Sequence, residues 1–330
     1  MAKIDYNCLY FGLELTEAMN NYFKYVIGMV TAFASHGDSW CSAGMHRSIW
    51  KCYQALAVRN GTYLGLLDRS SAAAAMRRVL KIFVLIVVTS VVVQYKALHT
   101  LLPGTRWQYF LMYNIYPVTL SYMRHVFHLL HIKLMCANLR QLHVKLEHLR
   151  RTVDDSLKVE NITLNPRKHE AAVLTTLDRL EDCRSIYTEL WHANEGINEL
   201  FGFSQAFNVA CSFVQIAFDL YWVRAMWISG DPDLDLQMLL SVPTPVVVGF
   251  LMHTTRKYHL TVESVKQAVL EMPYMHDERM VQLCGYFLGQ MQRFRFRLTA
   301  RNIFDFDNTL LPKFVFVIIT YMIIFIEINR

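Results

Sequence analysis

Long apolar stretches, separated by segments rich in Lys and Arg, form the main pattern of the chain. Because about 20 mainly apolar residues in a helix cross a bilayer, stretches of this kind predict membrane spans. Five of them lie at residues 79–102, 107–130, 200–228, 237–255 and 308–328. A sixth, at residues 10–35, has a shorter apolar core between Tyr22 and Ala34, and we predict a span there as well.

The Lys and Arg residues are distributed unevenly among the segments that join these stretches. Three alternate segments, 46–81, 131–196 and 256–301, hold 25 of the 33 cations. Cytoplasmic loops of membrane proteins carry such an excess. We therefore predict that these three segments are cytoplasmic and that the short loops 103–106 and 229–236 are extracellular. By the same alternation the C-terminus is extracellular.

Composition agrees with a membrane protein. Hydrophobic residues make up 54% of the chain and charged residues 18%, whereas a soluble domain carries about 25% charged residues. The net charge of +6 is concentrated in alternate loops, which favours membrane orientation over a nucleic-acid partner. The seven cysteines have no zinc-site spacing, and no GxSxG, HExxH or P-loop motif occurs. We predict no enzymatic activity, no metal site and no cofactor.

The cytoplasmic segments have helical periodicity of their own. Apolar residues recur at helical spacing in 130–149, 168–199 and 261–299, and Asn165-Pro166 and Met272-Pro273 interrupt the pattern. These patterns predict long helices that extend into the cytoplasm and pack together. The predicted fold is an all-α polytopic membrane bundle, which we divide into residues 1–260 and residues 261–330.

Three histidines, His125, His128 and His131, share one helical face near the inner end of a predicted span. This spacing could serve a metal ion, but no carboxylate stands at ligand spacing beside it. We interpret the three as residues of the membrane interface.

The C-terminal residues carry a recognisable motif. The chain reads Thr320-Tyr321, then five apolar residues, then Glu327-Ile328. This resembles the TYhhhhhQF signature of insect gustatory receptors, in which h is any hydrophobic residue. Phe287-x-x-Gln290 and residues 300–307 resemble that family's approach to its last span, and the likeness covers roughly residues 10–330. In this chain Glu327 stands for the Gln of the signature, Ile328 for its Phe, and Asn302 for a frequent Gly.

The resemblance implies a function, a location and an assembly. It implies a ligand-gated, non-selective cation channel that detects small tastants in the plasma membrane of sensory neuron dendrites. The mixed charge of the polar residues in the outer halves of the spans favours bitter compounds among the tastants. Membrane lipid and other gustatory receptor subunits, in a homo- or hetero-tetramer, would be its partners. The family has seven spans and six are visible here, so we expect a shortened isoform or gene model.

The resemblance also guides the choice of candidate residues. Polar and aromatic residues in the outer halves of the spans suit a ligand pocket, and we select Tyr95, Lys96, Tyr113, Asp219 and Trp222. One face of the last span, at i, i+3, i+4 and i+7, would line the pore with Thr320, Ile323, Ile324 and Glu327. Glu327 would form an acidic ring at the outer mouth. Contacts between subunits would involve Leu283, Phe287 and Gln290.

Two other classes of helical membrane protein remain alternatives. A G-protein-coupled receptor has a cytoplasmic C-terminus, and the chain lacks a DRY-like triplet after a span and an NPxxY motif in the last span. A transporter is expected to have repeated halves or interrupted spans with charges at mid-membrane, and we see neither in the sequence.

Overall fold

The computed structural model of the protein describes residues 15–61, 115–160, 166–230, 234–273, 277–300, 303–306 and 309–328, and, between the first two ranges, residues 77, 80, 81, 83–85, 87–93, 95, 96 and 111. Within these residues the named helices are α1 (Leu15–Cys41), α2 (Ala43–Gly61), α3 (Tyr116–Glu160), α4 (Pro166–Leu200), α5 (Gly202–Ser229), α6 (Leu234–Ser241), α7 (Pro243–Leu270), α8 (Glu278–Arg293) and α9 (Leu310–Ile328). The described residues form no β-sheet, and one isolated bridge pairs Thr299 with Asp305. The predicted all-α polytopic fold is confirmed.

Two long helices form the centre of the molecule. The 45 residues of α3 extend over about 68 Å, well beyond the thickness of a bilayer. The helix α4 begins at Pro166, a residue that suits a helix start because its missing N–H has no partner to lose. The interruption predicted at Asn165-Pro166 is therefore present. The helix α5 follows α4 after the single turn residue Phe201.

The predicted span at 237–255 is divided between two helices. The chain bends at Val242, between α6 and α7, because Pro243 and Pro245 cannot donate the backbone hydrogen bonds that would continue α6. The helix α7 then runs without interruption to Leu270 and so crosses residue 261, where we divided the chain. It ends before Met272-Pro273, as predicted. The helix α8 begins after Asp277, whose side chain accepts a hydrogen bond from Arg279 N.

The core lies between α3, α4, α7 and α8. The α3 leucines at positions 139, 142, 146 and 149 are at most 3% exposed, and they belong to one cluster with Leu180, Ile186, Tyr258 and Phe287. Their spacing of three and four residues places them along one face of α3. The predicted packing of the long helices is therefore present within a single chain.

The last helix has few contacts inside the chain. Its main partner is α5, where the rings of Phe213 and Phe314 stack with their centroids 3.4 Å apart. Most of its apolar residues, including Phe316, Ile319 and Ile323, are exposed. By length and hydropathy, α5 is the helix among the described residues that qualifies as a membrane span, and α9 contains a shorter apolar stretch, Pro312–Ile324.

Candidate functional site

The helix α5 buries polar residues together with apolar ones. Its buried face carries polar residues beside Val209, Phe213 and Phe218, while bulky apolar residues on its other faces are exposed, among them Phe203, Phe207, Leu220 and Trp227. The buried polar residues are Ser204, Gln205, Asn208, Ser212 and Asp219. In a membrane, lipid surrounds the apolar residues, and polar side chains turn towards the bundle interior. The interior face of α5 is thus the place to look for a ligand site.

Asp219 is the charged residue of this buried face, with 4% of its surface exposed. Gln215, one helical turn before it, donates from Nε2 to both carboxylate oxygens, at 2.9 and 3.0 Å. A carboxylate at this depth is costly unless it is hydrogen-bonded. The geometry therefore holds Asp219 in a fixed position within the bundle.

Tyr122 of α3 connects Asp219 of α5 with α7 and with the segment that contains Ser90. Its hydroxyl and Thr244 Oγ1 of α7 lie 3.0 Å apart in a hydrogen bond, and both side chains are buried. Asp219 lies within electrostatic range of the Tyr122 hydroxyl, and Ser90 lies close to the same hydroxyl. The Tyr122 cluster, which consists of Tyr122, Thr244, Ser90, Gln215 and Asp219, thus draws on four segments of the chain. It offers hydrogen-bonding groups, an aromatic ring and a negative charge.

The structure brings some of the predicted pocket residues to this cluster. Asp219 is a member, and Trp222 lies on α5 one turn further along, half-buried. Tyr95 and Lys96 are exposed. Tyr113 lies outside the described residues.

Sequence reasoning missed four members of the cluster: Tyr122, Thr244, Ser90 and Gln215. Ser90, Thr244 and Gln215 are polar residues within predicted apolar stretches, and that position was a usable signal. Tyr122 gave no such signal, because tyrosine is common throughout these stretches.

A second buried polar group lies further along α3. His125 Nδ1 is 2.8 Å from Gln205 Nε2, and His125 Nε2 is 3.2 Å from Ser212 Oγ. Gln205 Nε2 can only donate, and Ser212 Oγ already donates to Asn208 O, so the network assigns a neutral His125 with its proton on Nε2. His125 therefore joins α3 to the buried face of α5.

Arg124 stabilises the junction between α4 and α5 by hydrogen bonds. Its Nε donates to Ser204 Oγ at 2.7 Å, and an Nη donates to Leu200 O. Its guanidinium also lies 3.6 Å from Asp38 and 4.6 Å from the centre of the Phe201 ring. The ends of α1, α3, α4 and α5 are held together here.

The interpretation of the three histidines as interface residues is wrong. His125, His128 and His131 are at most 2% exposed. The rings of His128 and His131 pack against Phe201, with centroid distances of 4.8 and 5.5 Å. These residues belong to the interior because helices α4 and α5 cover that face of α3, a contact that the local pattern did not reveal.

The comparison with known proteins identifies the family. The model of the 7tm chemosensory receptor family matches residues 1–328. The chain belongs to this family. A similar curated protein is the gustatory receptor for bitter taste 93a of Drosophila melanogaster, 23% identical over 151 residues. That match covers 46% of this chain and 36% of the relative, so the chain matches about a third of the relative's length.

Family membership establishes the general class of this receptor. It is a multi-pass membrane chemoreceptor, related to taste receptors, and the family is not one of enzymes. The resemblance inferred from the C-terminal motif is confirmed. Multi-pass insertion accounts for the exposed apolar faces of α5 and α9, because apolar side chains are favourable in contact with lipid or with other membrane helices.

The four predicted pore residues of the receptor lie on α9. Thr320, Ile323, Ile324 and Glu327 are all exposed in the single chain. Thr320 Oγ1 donates to Phe316 O at 2.9 Å, a bond within its own helix. The face that we assigned to the pore is thus not covered by other helices of the described chain. Its role in ion conduction stays a prediction.

The predicted subunit contacts differ from one another in exposure. Phe287 is fully buried and packs edge to face against Tyr187, with a centroid distance of 5.7 Å, so its side chain has no surface with which to contact a second chain. Gln290 Oε1 accepts from Arg184 at 3.3 Å, and Gln290 Nε2 donates to Thr188. Leu283 is half-buried. For Leu283 and Gln290 a role between subunits stays a prediction.

A separate groove of about 600 Å³ lies between α3 and α4, on their cytoplasmic lengths by our prediction. Its lining mixes cations and carboxylates, including Lys145, Arg151, Arg179, Glu147 and Asp182. Lys145 Nζ lies 4.0 Å from an oxygen of Asp182, and Glu147 pairs with Arg151 at 3.4 Å. Because the charges largely pair with one another, the groove indicates no particular class of ligand.

Proposed function

We propose that the receptor is a taste receptor that acts as a ligand-gated, non-selective cation channel. The observation that supports it most is the Tyr122 cluster, a set of polar side chains buried inside a bundle whose outer faces are apolar. Polar groups at membrane depth are costly and usually serve a ligand or an ion. The cluster is the proposed tastant site.

The chemistry of the cluster suits amphipathic cations. The Asp219 carboxylate attracts a protonated amine, and the Tyr122 and Trp222 rings offer apolar and cation–π contacts. An aromatic amine would use both kinds of contact. Together with the similarity to a receptor for bitter taste, this chemistry supports bitter tastants as the ligands.

The last helix is the proposed pore lining. The helix α9 exposes apolar residues on most of its surface and packs mainly on α5, so it offers surface to neighbouring subunits, lipid and a pore. We propose a homo- or hetero-tetramer with other gustatory receptor subunits, with α9 of each subunit around a central pore. Glu327, exposed near the end of α9, would then form an acidic ring.

We further propose the orientation and location of the receptor. The basic segments 46–81, 131–196 and 256–301 are cytoplasmic, the C-terminus is extracellular, and the receptor lies in the plasma membrane of sensory neuron dendrites. A G-protein-coupled receptor would have its C-terminus inside. Antibody binding to a C-terminal tag on unpermeabilised cells tests this orientation.

The decisive experiment is electrical recording from cells that express the receptor. We expect quinine and denatonium, both cationic, to evoke currents that reverse near 0 mV without a coupled-ion gradient. In Asp219→Asn the concentration of half-maximal response for these cations should rise at least tenfold, because a hydrogen bond to a charged group contributes about 1.5 to 3 kcal/mol. The response to caffeine, which is uncharged at pH 7, should change less than threefold.

The matched control is Asp235→Asn, which removes an exposed carboxylate from α6. Its responses should equal those of the wild type. Equal shifts for quinine and caffeine in Asp219→Asn would remove the carboxylate from the tastant site. Currents that require a coupled-ion gradient would instead indicate a transporter. Glu327→Gln, if it leaves calcium permeability unchanged, would remove Glu327 from the pore.

A further inference from the structure

Several hydrogen bonds hold the described residues between α8 and α9. We call residues 294–306 the connector, of which 294–300 and 303–306 are described. Phe306 N donates to Leu298 O at 2.8 Å, and Ala300 N donates to Phe304 O at 3.0 Å, so the connector folds back on itself. Leu298, Ala300 and Phe306 are at most 1% exposed. These three residues anchor the described part of the connector, which precedes α9 in the chain.

Two asparagines of α4 form hydrogen bonds with the backbone in the middle of the connector. Asn194 Nδ2 and Asn198 Nδ2 both donate to Arg297 O, each at 2.9 Å. Asn198 Oδ1 accepts from Thr299 N at 3.0 Å. The two asparagines are one helical turn apart and are 0% and 8% exposed. The backbone of the connector is thus bonded to α4 at two consecutive points.

The helix α7 completes this arrangement. Tyr258, fully buried, donates from its hydroxyl to Asn194 Oδ1 at 2.6 Å. The amide groups of Asn194 and Asn198 therefore each both donate and accept. We call Asn194, Asn198 and Tyr258 the clamp. Low surrounding polarity strengthens such bonds and makes a missing partner costly.

The far end of the connector touches the same helices that carry the tastant site. Phe306 O lies 3.1 Å from His259 Nε2 of α7, and the Phe306 ring packs edge to face on His128 of α3 at 5.3 Å. The Tyr122 cluster uses Tyr122 of α3 and Thr244 of α7. Along the helices, Tyr122 is about 9 Å from His128, and Thr244 is about 21 Å from Tyr258. Two rigid, mutually packed helices therefore join the site to the connector.

We propose that the clamp couples the tastant site to the last helix. In this proposal its hydrogen bonds determine the position of the connector, and that position differs between the closed and the open channel. A tastant that changes the spacing of α3 and α7 at Tyr122 and Thr244 moves Tyr258 and His128, and the connector transfers this movement to α9. The inference rests on the proposed function for its link to current, while its link from clamp to α9 is purely structural. Coupling of this kind requires an element with two arrangements, and the proposal assigns that role to the connector.

The first test measures the link from the clamp to α9 without any current. Hydrogen–deuterium exchange of the purified receptor is compared among the wild type, Tyr258→Phe and Asn198→Ala. Tyr258→Phe deletes only the hydroxyl that bonds to Asn194, and Asn198→Ala removes both bonds to the connector. We expect exchange at least threefold faster in the connector and in the first turns of α9, and unchanged exchange in residues 131–149. Faster exchange in the connector with unchanged exchange in α9 would overturn the proposal.

The matched control for the asparagine is Asn138→Ala. Asn138 Nδ2 donates to Leu134 O of its own helix at 2.9 Å, so its removal leaves the connector bonds intact. Exchange in the connector and in α9 should then equal that of the wild type. If Asn198→Ala does not reach the membrane, Tyr258→Phe alone decides the result, since it keeps the ring and its packing.

The second test measures gating in cells that express the same variants. A change in the opening equilibrium shifts the unliganded open probability and the half-maximal quinine concentration together and in opposite directions. We expect shifts of about three- to tenfold in each, the range for one or two lost buried hydrogen bonds. The coupling would be overturned if only the half-maximal quinine concentration shifted. It would also be overturned if neither that concentration nor the unliganded open probability shifted at normal surface expression. A wild type without any current contradicts the proposed function, while the exchange result still decides whether the clamp controls α9.

Discussion

The part of α3 that we predict to be cytoplasmic and the helix α5 differ in the residues that they bury and expose. On α3 the buried positions are the leucines at 139, 142, 146 and 149, and the exposed positions include Arg140 and Arg151. On α5 the buried positions include Gln205, Asn208 and Asp219, and the exposed positions include Phe207 and Trp227. By the predicted topology, water surrounds this part of α3 and lipid surrounds α5. An exposed hydrophobic residue therefore has a different meaning in each region.

The largest expected effect comes from a charge placed in the buried leucine cluster of α3. Leu146→Asp places a carboxylate at a position with 0% exposure inside the apolar cluster, and we expect a loss of at least about 4 kcal/mol of folding stability. Thermal unfolding of the purified receptor, or its absence from the detergent extract, measures this. Val144→Asp, at a position 48% exposed on the same helix, should stay within about 0.5 kcal/mol of the wild type.

A smaller effect separates lipid from water as the surrounding solvent. Phe207 is 41% exposed, close to the exposure of Val144, but lies on the membrane helix. Phe207→Asp should cost about 2 to 3 kcal/mol in membrane insertion, because a carboxylate facing lipid loses its hydration. The measurement is the fraction of α5 inserted in a translocation assay. Equal tolerance of Phe207→Asp and Val144→Asp would show that water reaches the exposed face of α5.

The smallest effect concerns thiol reactivity and leaves stability at neutral pH unchanged. Burial raises the pKa of the Cys284 thiol to about 11, and the side chain is 2% exposed, whereas Cys41 is exposed. At pH 7.4 maleimide should label Cys41 at least tenfold faster than Cys284, with sites assigned by peptide mass spectrometry. Labelling in denaturing detergent is the control and should remove the difference.

The same thiol also predicts a pH dependence. The unfolded chain loses the Cys284 proton near pH 9, and the folded chain retains it to about pH 11. In that interval the unfolded state binds fewer protons, so this group lowers stability as the pH rises from 9 to 11. A stability that is flat across this interval in the wild type and in Cys284→Ala would contradict the assignment.

Local pattern was sufficient for much of the fold. The leucine spacing of residues 130–149 predicted the buried face of α3, and Asn165-Pro166 and Met272-Pro273 marked helix ends that the structure has. The terminal motif, Thr320-Tyr321 followed by an apolar run, was sufficient for the family. Each of these signals depends on neighbours within a few turns of chain.

The local sequence pattern did not predict the burial of side chains that are covered by residues distant in the sequence. The burial of His128 depends on Phe201 and Phe306, which lie far from it in sequence. Phe287 had the signature of a contact residue, but Tyr187 of another helix covers it within the chain. The stretch 237–255 is divided between two helices because Pro243 and Pro245 interrupt the helix although the composition remains apolar, and its crossing of the membrane stays a prediction.

The sequence by itself determined that this protein is a helical membrane receptor, because hydropathy, helical period and the terminal motif depend on the order of residues alone. Only the tertiary structure decided which polar residues share a site. Asp219, Tyr122 and Thr244 come from three helices, and the clamp joins Asn194 and Tyr258 to the connector across long separations in the chain. Hydrogen bonds between helices depend on which faces meet, and that choice is made by packing of the whole bundle.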